Sequence, residues 1–434
     1  MLYIYTPVVT PRIEFVLKFI FNRVLQVNYE LTSEHDSCEP SHQPFINYSE
    51  EHCGAGIWMP SSGILQETGV KSIAPEVGDW EGLPTLFPEP QGDVPFDLFG
   101  AAFYLMTRYE EYHNEKWDKH GRFDHRESIA YKHNFLQRPV IDEWVLKLKT
   151  MLHEKYPELH IGTPKYQFVS TIDVDYPYAY LGKSKWMMLA KMGVKLMKLD
   201  LTTFTRMLKV LFYLEKDPYY QFQYLDELHH ELGCKYTMFV HVGPLGKHDR
   251  HTIYPLFFFR CYLRKQHHSH VIGIHPSYHA SFNKLEILHE KSKLEHYLHS
   301  PVGCSRHHYL RIRMPNTYRE LNEIGIKRDF SMGYAGVPGF RAGTCHPHFF
   351  YDVERDEETL LMIHPTILMD GTLNFYQKLT PEQGLAVCKE MVDKCRNVNG
   401  QFVLLWHNNS LSDIDEWAGW KTVFEEALKY GRSI

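Results

Sequence analysis

The chain has 434 residues, enough for two domains, and 44% of them are hydrophobic, which is ample for sizeable cores. Its formal net charge of −6 gives no general electrostatic attraction to nucleic acid, so no nucleic-acid partner is expected. The eight cysteines include no Cys-x-x-Cys pair and no disulfide-framework spacing, which favours reduced thiols and a cytoplasmic location.

The N-terminal residues predict neither export nor a membrane span. Residues 1–5 lack a basic leader and a cleavage site, so no secretory signal is expected. The apolar stretch 15–27 is interrupted by Lys18 and Arg23 and is too short to cross a bilayer. Thr10 followed by proline is typical of a helix start, so we interpret this stretch as a helix of the folded domain. A membrane anchor is the alternative.

The first third of the chain mixes short strands with helical patterns. Strands are predicted at 2–5 and 27–31, and the clearest helix at 97–112, capped by Asp97. We interpret three charged side chains on the far side of this helix as a solvated face rather than a catalytic group: Arg108, Glu110 and Glu111.

A helix predicted at 140–155 leads into a Gly-Thr-Pro break at 162–164, where we place a domain boundary. Beyond it, strands and helices alternate. The strands are predicted at 166–172, 235–243, 270–274, 359–363 and 401–406, and the helices at 219–232, 316–325 and 380–396. This alternation predicts an α/β domain with a largely parallel sheet over 164–434, preceded by a smaller α/β domain over 1–160.

The segment 181–215 departs from this alternation. Methionines and leucines there are interleaved with two acidic residues, Asp200 and Glu215, and with seven basic ones: Lys183, Lys185, Lys191, Lys195, Lys198, Arg206 and Lys209. We expect an inserted helical hairpin whose lysines face water. Peripheral contact with an anionic membrane surface is the alternative, since basic amphipathic helices bind such surfaces.

Polar side chains follow three of the predicted strands. They are Asp173 and Asp175 after the first, His275 and His279 after the third, and His407 after the last. Because the carboxyl ends of parallel strands meet at one edge of a sheet, we expect these side chains to lie together.

These residue types indicate a metal-dependent hydrolase. One carboxylate and two imidazoles, here Asp175, His275 and His279, form the ligand set of an open catalytic site for a divalent metal, and Zn²⁺ is the expected ion. Such an ion supplies the Lewis acidity and activated water that amide or ester hydrolysis needs at neutral pH. Asp173 is expected to act as general base and His407 to protonate the departing group.

The same segments resemble the motifs of the polysaccharide deacetylase superfamily (NodB homology, carbohydrate esterase family four). Residues 171–175 match the Asp-x-Asp variant of its first motif. Residues 275–279 match the second motif, with Pro276 where the family usually has Ser or Thr. Residues 329–331 resemble the fourth motif, and residues 404–407 match the fifth.

The third motif of the family brings an arginine that holds the base. Arg306 and Arg341 both lie in segments that resemble this motif, so the resemblance leaves both as candidates for the arginine that holds the base. If His279 is not the third metal ligand, His346 and His364 are the alternatives.

The resemblance covers about residues 164–434 and implies a distorted (β/α) barrel. It also implies a divalent-metal enzyme that removes an N- or O-acetyl group from a sugar. With no export signal expected, we predict that the acetylated sugar substrate is a precursor in surface polysaccharide biosynthesis rather than a finished polymer. The alternatives are a deacylase of a non-sugar amide and a catalytically silent carbohydrate-binding barrel. The presence of both Asp173 and His407 disfavours the silent barrel.

Overall fold

The computed structural model describes residues 1–34, 43–53, 56–249 and 257–433. In its N-terminal part, four parallel strands form a sheet in the order β2-β1-β3-β4, and β5 and β6 form an antiparallel hairpin. These strands are β1 (Leu2–Tyr5), β2 (Tyr29–Thr32), β3 (Phe45–Tyr48), β4 (Ile57–Met59), β5 (Val77–Trp80) and β6 (Leu83–Leu86). The α-helices are α1 (Pro11–Leu17), α2 (Leu98–Met106), α3 (Ile129–Lys132) and α4 (Val140–Lys155).

Side-chain caps fix where the first two helices begin. The Thr10 hydroxyl accepts a hydrogen bond from the backbone N–H of Ile13 (3.2 Å), and α1 continues as a π-helix over Lys18–Val24. Asp97 accepts one from the N–H of Gly100 (2.7 Å) at the start of α2. Because these bonds satisfy otherwise unpaired N–H groups, they stabilise each first turn. Both predicted helix starts are confirmed.

The C-terminal part is built on a nine-stranded sheet in the order β12-β13-β11-β10-β9-β8-β7-β15-β14. Every neighbouring pair is parallel except β12 and β13. The strands are β7 (Gln167–Val174), β8 (Tyr236–Val240), β9 (Val271–Ile274), β10 (Cys304–Ser305), β11 (Arg328–Asp329), β12 (His348–Asp352), β13 (Glu357–Ile363), β14 (Leu368–Met369) and β15 (Gln401–His407). The prediction of an α/β fold with a largely parallel sheet is confirmed.

Eight helices of the described residues connect these strands or follow the last of them. They are α5 (Lys185–Met197), α6 (Leu201–Leu211), α7 (Phe222–Glu231), α8 (Phe257–Gln266), α9 (Lys284–Leu298), α10 (Asn316–Glu323), α11 (Pro381–Asn397) and α12 (Trp420–Arg432). The expected hairpin in 181–215 is present as α5 and α6. None of the helices in the described residues is long and apolar enough to cross a membrane.

The sheet curves strongly but does not close into a barrel within the described residues. β13 and β14 are seven strand positions apart in the sheet, which is about 34 Å in a flat sheet. The chain from Ile363 to Leu368, however, joins them through a segment that reaches at most about 18 Å. The two edges therefore approach each other, while no ladder of hydrogen bonds among the described strands joins them. The expected barrel is thus found as an open, curved sheet.

Two hydrophobic cores lie on either side of residues 160–171, one built mainly from residues 2–159 and the other from 172–428. A buried ion cluster connects the two parts of the chain: Glu111 pairs with Arg108 (2.7 Å) and with Arg341 (2.7 Å). The interpretation of Arg108 and Glu111 as a solvated helix face is therefore wrong. Both are buried: Glu111 pairs with the guanidinium of Arg341 from the C-terminal part, and Nη1 of Arg108 donates to the backbone carbonyl oxygen of Arg341.

Cysteine chemistry differs from the expectation at one position. Cys53 is disulfide-bonded, so the prediction of reduced thiols is wrong there. The other cysteines of the described residues are free thiols, namely Cys234, Cys261, Cys304, Cys345, Cys388 and Cys395. Because disulfides are rare in cytosolic proteins, the cysteine pattern no longer supports a cytoplasmic location.

Candidate functional site

The carboxyl ends of β7 and β15 bring three of the expected side chains together. In the parallel register of these strands, Asp173 lies opposite His407. Asp175 is two residues further on, so it projects to the same side of the strand as Asp173. The Nε2 atom of His407 lies 3.8 Å from a carboxylate oxygen of Asp175. Three of the side chains singled out from the sequence, Asp173, Asp175 and His407, therefore lie close together.

Asp175, His275 and His308 form a compact group of donor atoms within 4.8 Å of one another. Nε2 of His275 lies 3.2 Å from Oδ1 of Asp175, and Nε2 of His308 lies 3.3 Å from Oδ2. Both the Asp175 Oδ1 atom and the His275 Nε2 atom are buried without a hydrogen bond. Buried polar atoms left without a partner are costly, and a cation between them would satisfy both. One carboxylate with two imidazoles is also a ligand set that suits zinc and similar divalent ions.

Hydrogen bonds on the far side of each ring orient the two imidazoles. Nδ1 of His275 donates to the carbonyl oxygen of Arg306 (2.6 Å), and Nδ1 of His308 donates to Oδ1 of Asp249 (2.8 Å). Since a carbonyl or carboxylate oxygen can only accept, each Nδ1 carries the hydrogen, and each Nε2 faces Asp175. This arrangement, with a backbone carbonyl or carboxylate behind each ring, is typical of metal-binding histidines.

Opposite charges dominate the electrostatics of this group. Burial disfavours the charged form of Asp175, but His308, His275 and His407 together outweigh burial and hold the pKa of Asp175 well below its usual range. Burial also disfavours charged His308, while Asp175 and Asp249 together raise its pKa to about 9. The group is therefore an environment in which positive charge is favoured.

Asp173 is held by Arg306 at the base of the site. Nη1 of Arg306 donates to Oδ1 of Asp173 (2.9 Å) and to the hydroxyl of Thr171 (2.7 Å), while Nε donates to the carbonyl oxygen of Phe330 (3.0 Å). Arg306 is fully buried, and its guanidinium lies over the ring of Phe239 at 4.6 Å. Such a fixed, charge-assisted contact sets the orientation of the carboxylate.

A second carboxylate holds His407. Nδ1 of His407 donates to Oδ1 of Asp370 (2.7 Å), and the backbone N–H of His407 donates to Oδ2 (2.8 Å). Burial opposes a charged imidazole here, but Asp370, together with Asp175 and Asp173, outweighs burial and raises the pKa of His407 to about 10. The Nε2–H group of a protonated His407 therefore faces Asp175 and the open side of the site.

Other residues considered from the sequence lie elsewhere. The side chain of His279 is exposed, and only its backbone N–H approaches the site, donating to Asp249 (3.2 Å). Arg341 contacts Glu111 instead of Asp173. His346 faces the carbonyl oxygen of Val398, and His364 bonds the side chain of Gln401. The structure thus brings Arg306 rather than Arg341 to Asp173, and His308 rather than His279 to the other two donors.

Three contributing residues were not singled out from the sequence: His308, Asp249 and Asp370. His308 lies two residues after Arg306 in the segment that resembles the third motif, and β10 ends directly before Arg306. The available signal in the sequence was therefore that His308 follows the end of a further strand. Asp370 directly follows β14 in the same way. Asp249 lies in a loop after β8, where no pattern in the sequence marks it.

A cleft of about 250 Å³ opens onto these side chains. Its walls include aromatic residues on the open side of Asp175: Tyr176, Tyr309, Phe375, Tyr376 and Trp417. Phe375 is 51% exposed and Tyr376 is 43% exposed. Arg122, from the N-terminal part of the chain, also lines the cleft. The site is therefore accessible to a small polar molecule that can lie against an aromatic wall.

Residues 2–157 match a family model described as a family of unknown function (DUF7033). No curated protein gives a significant match to the chain. Solved structures similar to it include a candidate polysaccharide deacetylase from Mycobacterium smegmatis, with 15% identity and a TM-score of 0.40. They also include PuuE allantoinase, with 10% identity and a TM-score of 0.38. Each comparison covers 62% of this chain and 85% of the other. Likeness of this degree carries no conclusion about the substrate.

Proposed function

We propose that the chain is a metal-dependent hydrolase that removes an acetyl group from an acetylated sugar. The observation that carries the proposal is the group of three donor atoms on Asp175, His275 and His308, placed beside Asp173 and His407. The resemblance of the strand-end segments to polysaccharide deacetylase motifs supports the same reaction.

The three donors would hold the ion. When bound, a divalent ion, with Zn²⁺ expected from the donor set, supplies Lewis acidity and activates water at neutral pH. The sequence-based ligand set is changed at one position in this proposal, with His308 replacing His279, because the His279 side chain is exposed.

Proton transfer is assigned to two residues on neighbouring strands, Asp173 on β7 and His407 on β15. Asp173, oriented by Arg306, accepts a proton from the attacking water. His407, kept protonated by Asp370, donates its Nε2 proton to the departing amine or alcohol. A carboxylate that accepts a proton and an imidazolium that donates one are the pair that general base and general acid catalysis needs. A binding module would need neither contact.

The cleft supports a small sugar as substrate. Its volume of about 250 Å³ suits one ring with an acetamido group, and exposed Phe375 and Tyr376 offer apolar faces beside the charged side chains. We therefore propose a single acetylated sugar unit, free or carried on an activated or lipid-linked precursor, in preference to a long polymer.

Acetate release tests the proposal. Metal-free protein would be reconstituted with Zn²⁺ and incubated with N-acetylated monosaccharides, nucleotide-linked and lipid-linked N-acetyl sugars, and polymer. We expect metal-dependent release, fastest from the small substrates, and a loss of about 10²–10⁴-fold in Asp173→Asn. Asp393→Asn, which alters an exposed carboxylate on α11, is the matched control. Metal-independent release, or full activity in Asp173→Asn, would contradict the assignment.

A further inference from the structure

The hairpin of α5 and α6 exposes an apolar surface to solvent. On α5, Trp186 is 82% exposed and Met197 is 85% exposed, and Leu189 and Leu196 are also exposed. At 3.6 residues per turn these four side chains fall within about 100° of one another around the helix. Met188, on the opposite side, is buried. The apolar stripe therefore points away from the protein, whereas a helix that packs on a core points its stripe inward.

The exposed surface continues beyond α5. Leu199 is 80% exposed and Leu201 is 55% exposed at the turn of the hairpin. Three consecutive residues after α6 are also exposed: Phe212, Tyr213 and Leu214. Single exposed hydrophobic residues are common, but a contiguous apolar surface of this size marks an interaction site.

Basic side chains surround this surface. Residues 181–215 carry seven basic and only two acidic residues, in a chain whose net charge is −6. Lys191 and Lys198 are exposed and lie about 120–140° from Trp186 by helical spacing, next to Met187 and Val194, which are also exposed. The local charge is thus opposite in sign to the rest of the chain, so the surface attracts an anionic partner.

We propose that the α5–α6 hairpin docks this surface onto a bilayer that contains anionic lipids. Leucine, methionine and aromatic side chains would enter the boundary between headgroups and acyl chains, while the lysines would face lipid phosphates. A second copy of the chain fits less well, because two surfaces with the same excess of lysines repel each other. The docking proposal does not depend on the chemistry proposed for the cleft.

The position of the hairpin relates docking to the cleft. The chain enters the hairpin shortly after Asp175 at the end of β7 and leaves it at Asp217, whose carboxylate accepts hydrogen bonds from the N–H groups of residues 179–181. Asn408, next to His407, donates to the carbonyl oxygens of Tyr176 and Tyr219 on both sides of the hairpin. The hairpin thus projects from the sheet edge that carries the candidate site, and docking would bring that edge to the bilayer.

Vesicle co-sedimentation of the full chain tests docking. The vesicles would be pure phosphatidylcholine, or phosphatidylcholine with 30% phosphatidylglycerol, at low and high salt. We expect binding to the anionic vesicles that weakens with salt. Two lysine replacements, Lys191→Glu and Lys198→Glu together, should weaken partitioning at least about 30-fold, since each cation near an anionic surface contributes about fivefold. Trp186→Ser with Met197→Ser should weaken it at least about tenfold.

Two variants control for altered surface hydrophobicity. Leu285→Ser and Leu360→Ser replace side chains that are 71% and 69% exposed outside the hairpin, and both should bind vesicles as the parent chain does. Thermal unfolding of each variant shows whether it is folded.

Three results would overturn the docking proposal. One is a folded parent chain that binds no anionic vesicles. Another is hairpin variants that bind as well as the parent. The third is a parent chain that self-associates but binds no vesicles, with the self-association lost in Trp186→Ser with Met197→Ser. A second copy of the chain would then cover the surface.

Discussion

Replacing His308 and His279 separately distinguishes the two possible third ligands. His308 directs Nε2 at Asp175 from 3.3 Å, whereas the His279 side chain is exposed to solvent. Altering a residue that only supports a ligand typically costs about 10–100-fold in metal affinity, so loss of one of three ligands should cost at least about 100-fold. We expect that loss in His308→Ala and unchanged affinity in His279→Ala.

The measurement is Zn²⁺ affinity by chelator competition, with bound metal counted by elemental analysis. His308→Ala also removes one of the hydrogen-bond partners of buried Asp249, so circular dichroism must show that the variant is folded. His308→Gln, which keeps a polar side chain there, provides a second variant with the same expected direction. Asp249→Asn should give an intermediate loss of about 10–100-fold, because it removes only the support behind the ring. Parent-like affinity in folded His308→Ala, or lost affinity in His279→Ala, would refute the ligand assignment.

Three further changes have defined outcomes. His407→Ala should slow turnover by about 10²–10⁴-fold without loss of bound metal, and unchanged acetate release would contradict its role. Glu111→Gln should lower the free energy of unfolding by about 3–5 kcal/mol in denaturant titrations, because it weakens a buried ion cluster. Glu426→Gln, which alters an exposed ion pair, should change the free energy of unfolding by no more than about 1 kcal/mol. Burial lowers the pKa of His229 to about 4, so His229 binds a proton more readily in the unfolded chain than in the folded one. The free energy of unfolding should therefore fall by up to about 3 kcal/mol from pH 6.5 to 4, and His229→Gln should flatten that slope.

Hydrophobic periodicity predicted the elements of the fold well where they are long. The helix predicted at 140–155 is α4 with the same bounds, and the strand predicted at 401–406 is β15 with one more residue. Such segments bury a continuous apolar face, and the period of that face is visible in the sequence. β10, β11 and β14 have only two residues each, which is too short for any period to appear. Closure of the sheet depends on these short strands, so it could not be settled from the sequence.

The same limit explains which site residues were predicted. Asp173, Asp175, His275 and His407 lie at the carboxyl ends of strands of four to eight residues, and their placement at one sheet edge followed from that. His308 follows β10, which has no recognisable apolar run. His279 was selected by its four-residue spacing from His275. That spacing places two side chains on one face in a regular helix or strand, whereas here residues 275–279 form a loop that leads into a 3₁₀ turn.

The N-terminal part contributes to the candidate site, although the sequence indicates no role for it. Nη1 of Arg122 donates to the carbonyl oxygen of Tyr309 (2.8 Å), the residue that follows His308. Tyr309 has a φ of +64°, a strained backbone conformation for a bulky side chain, so the loop that carries His308 needs external support. The buried contact of Glu111 with Arg341 fixes the two parts against each other. The geometry of the third donor therefore depends on residues of the N-terminal part, and the C-terminal sheet alone would not hold the site in this form.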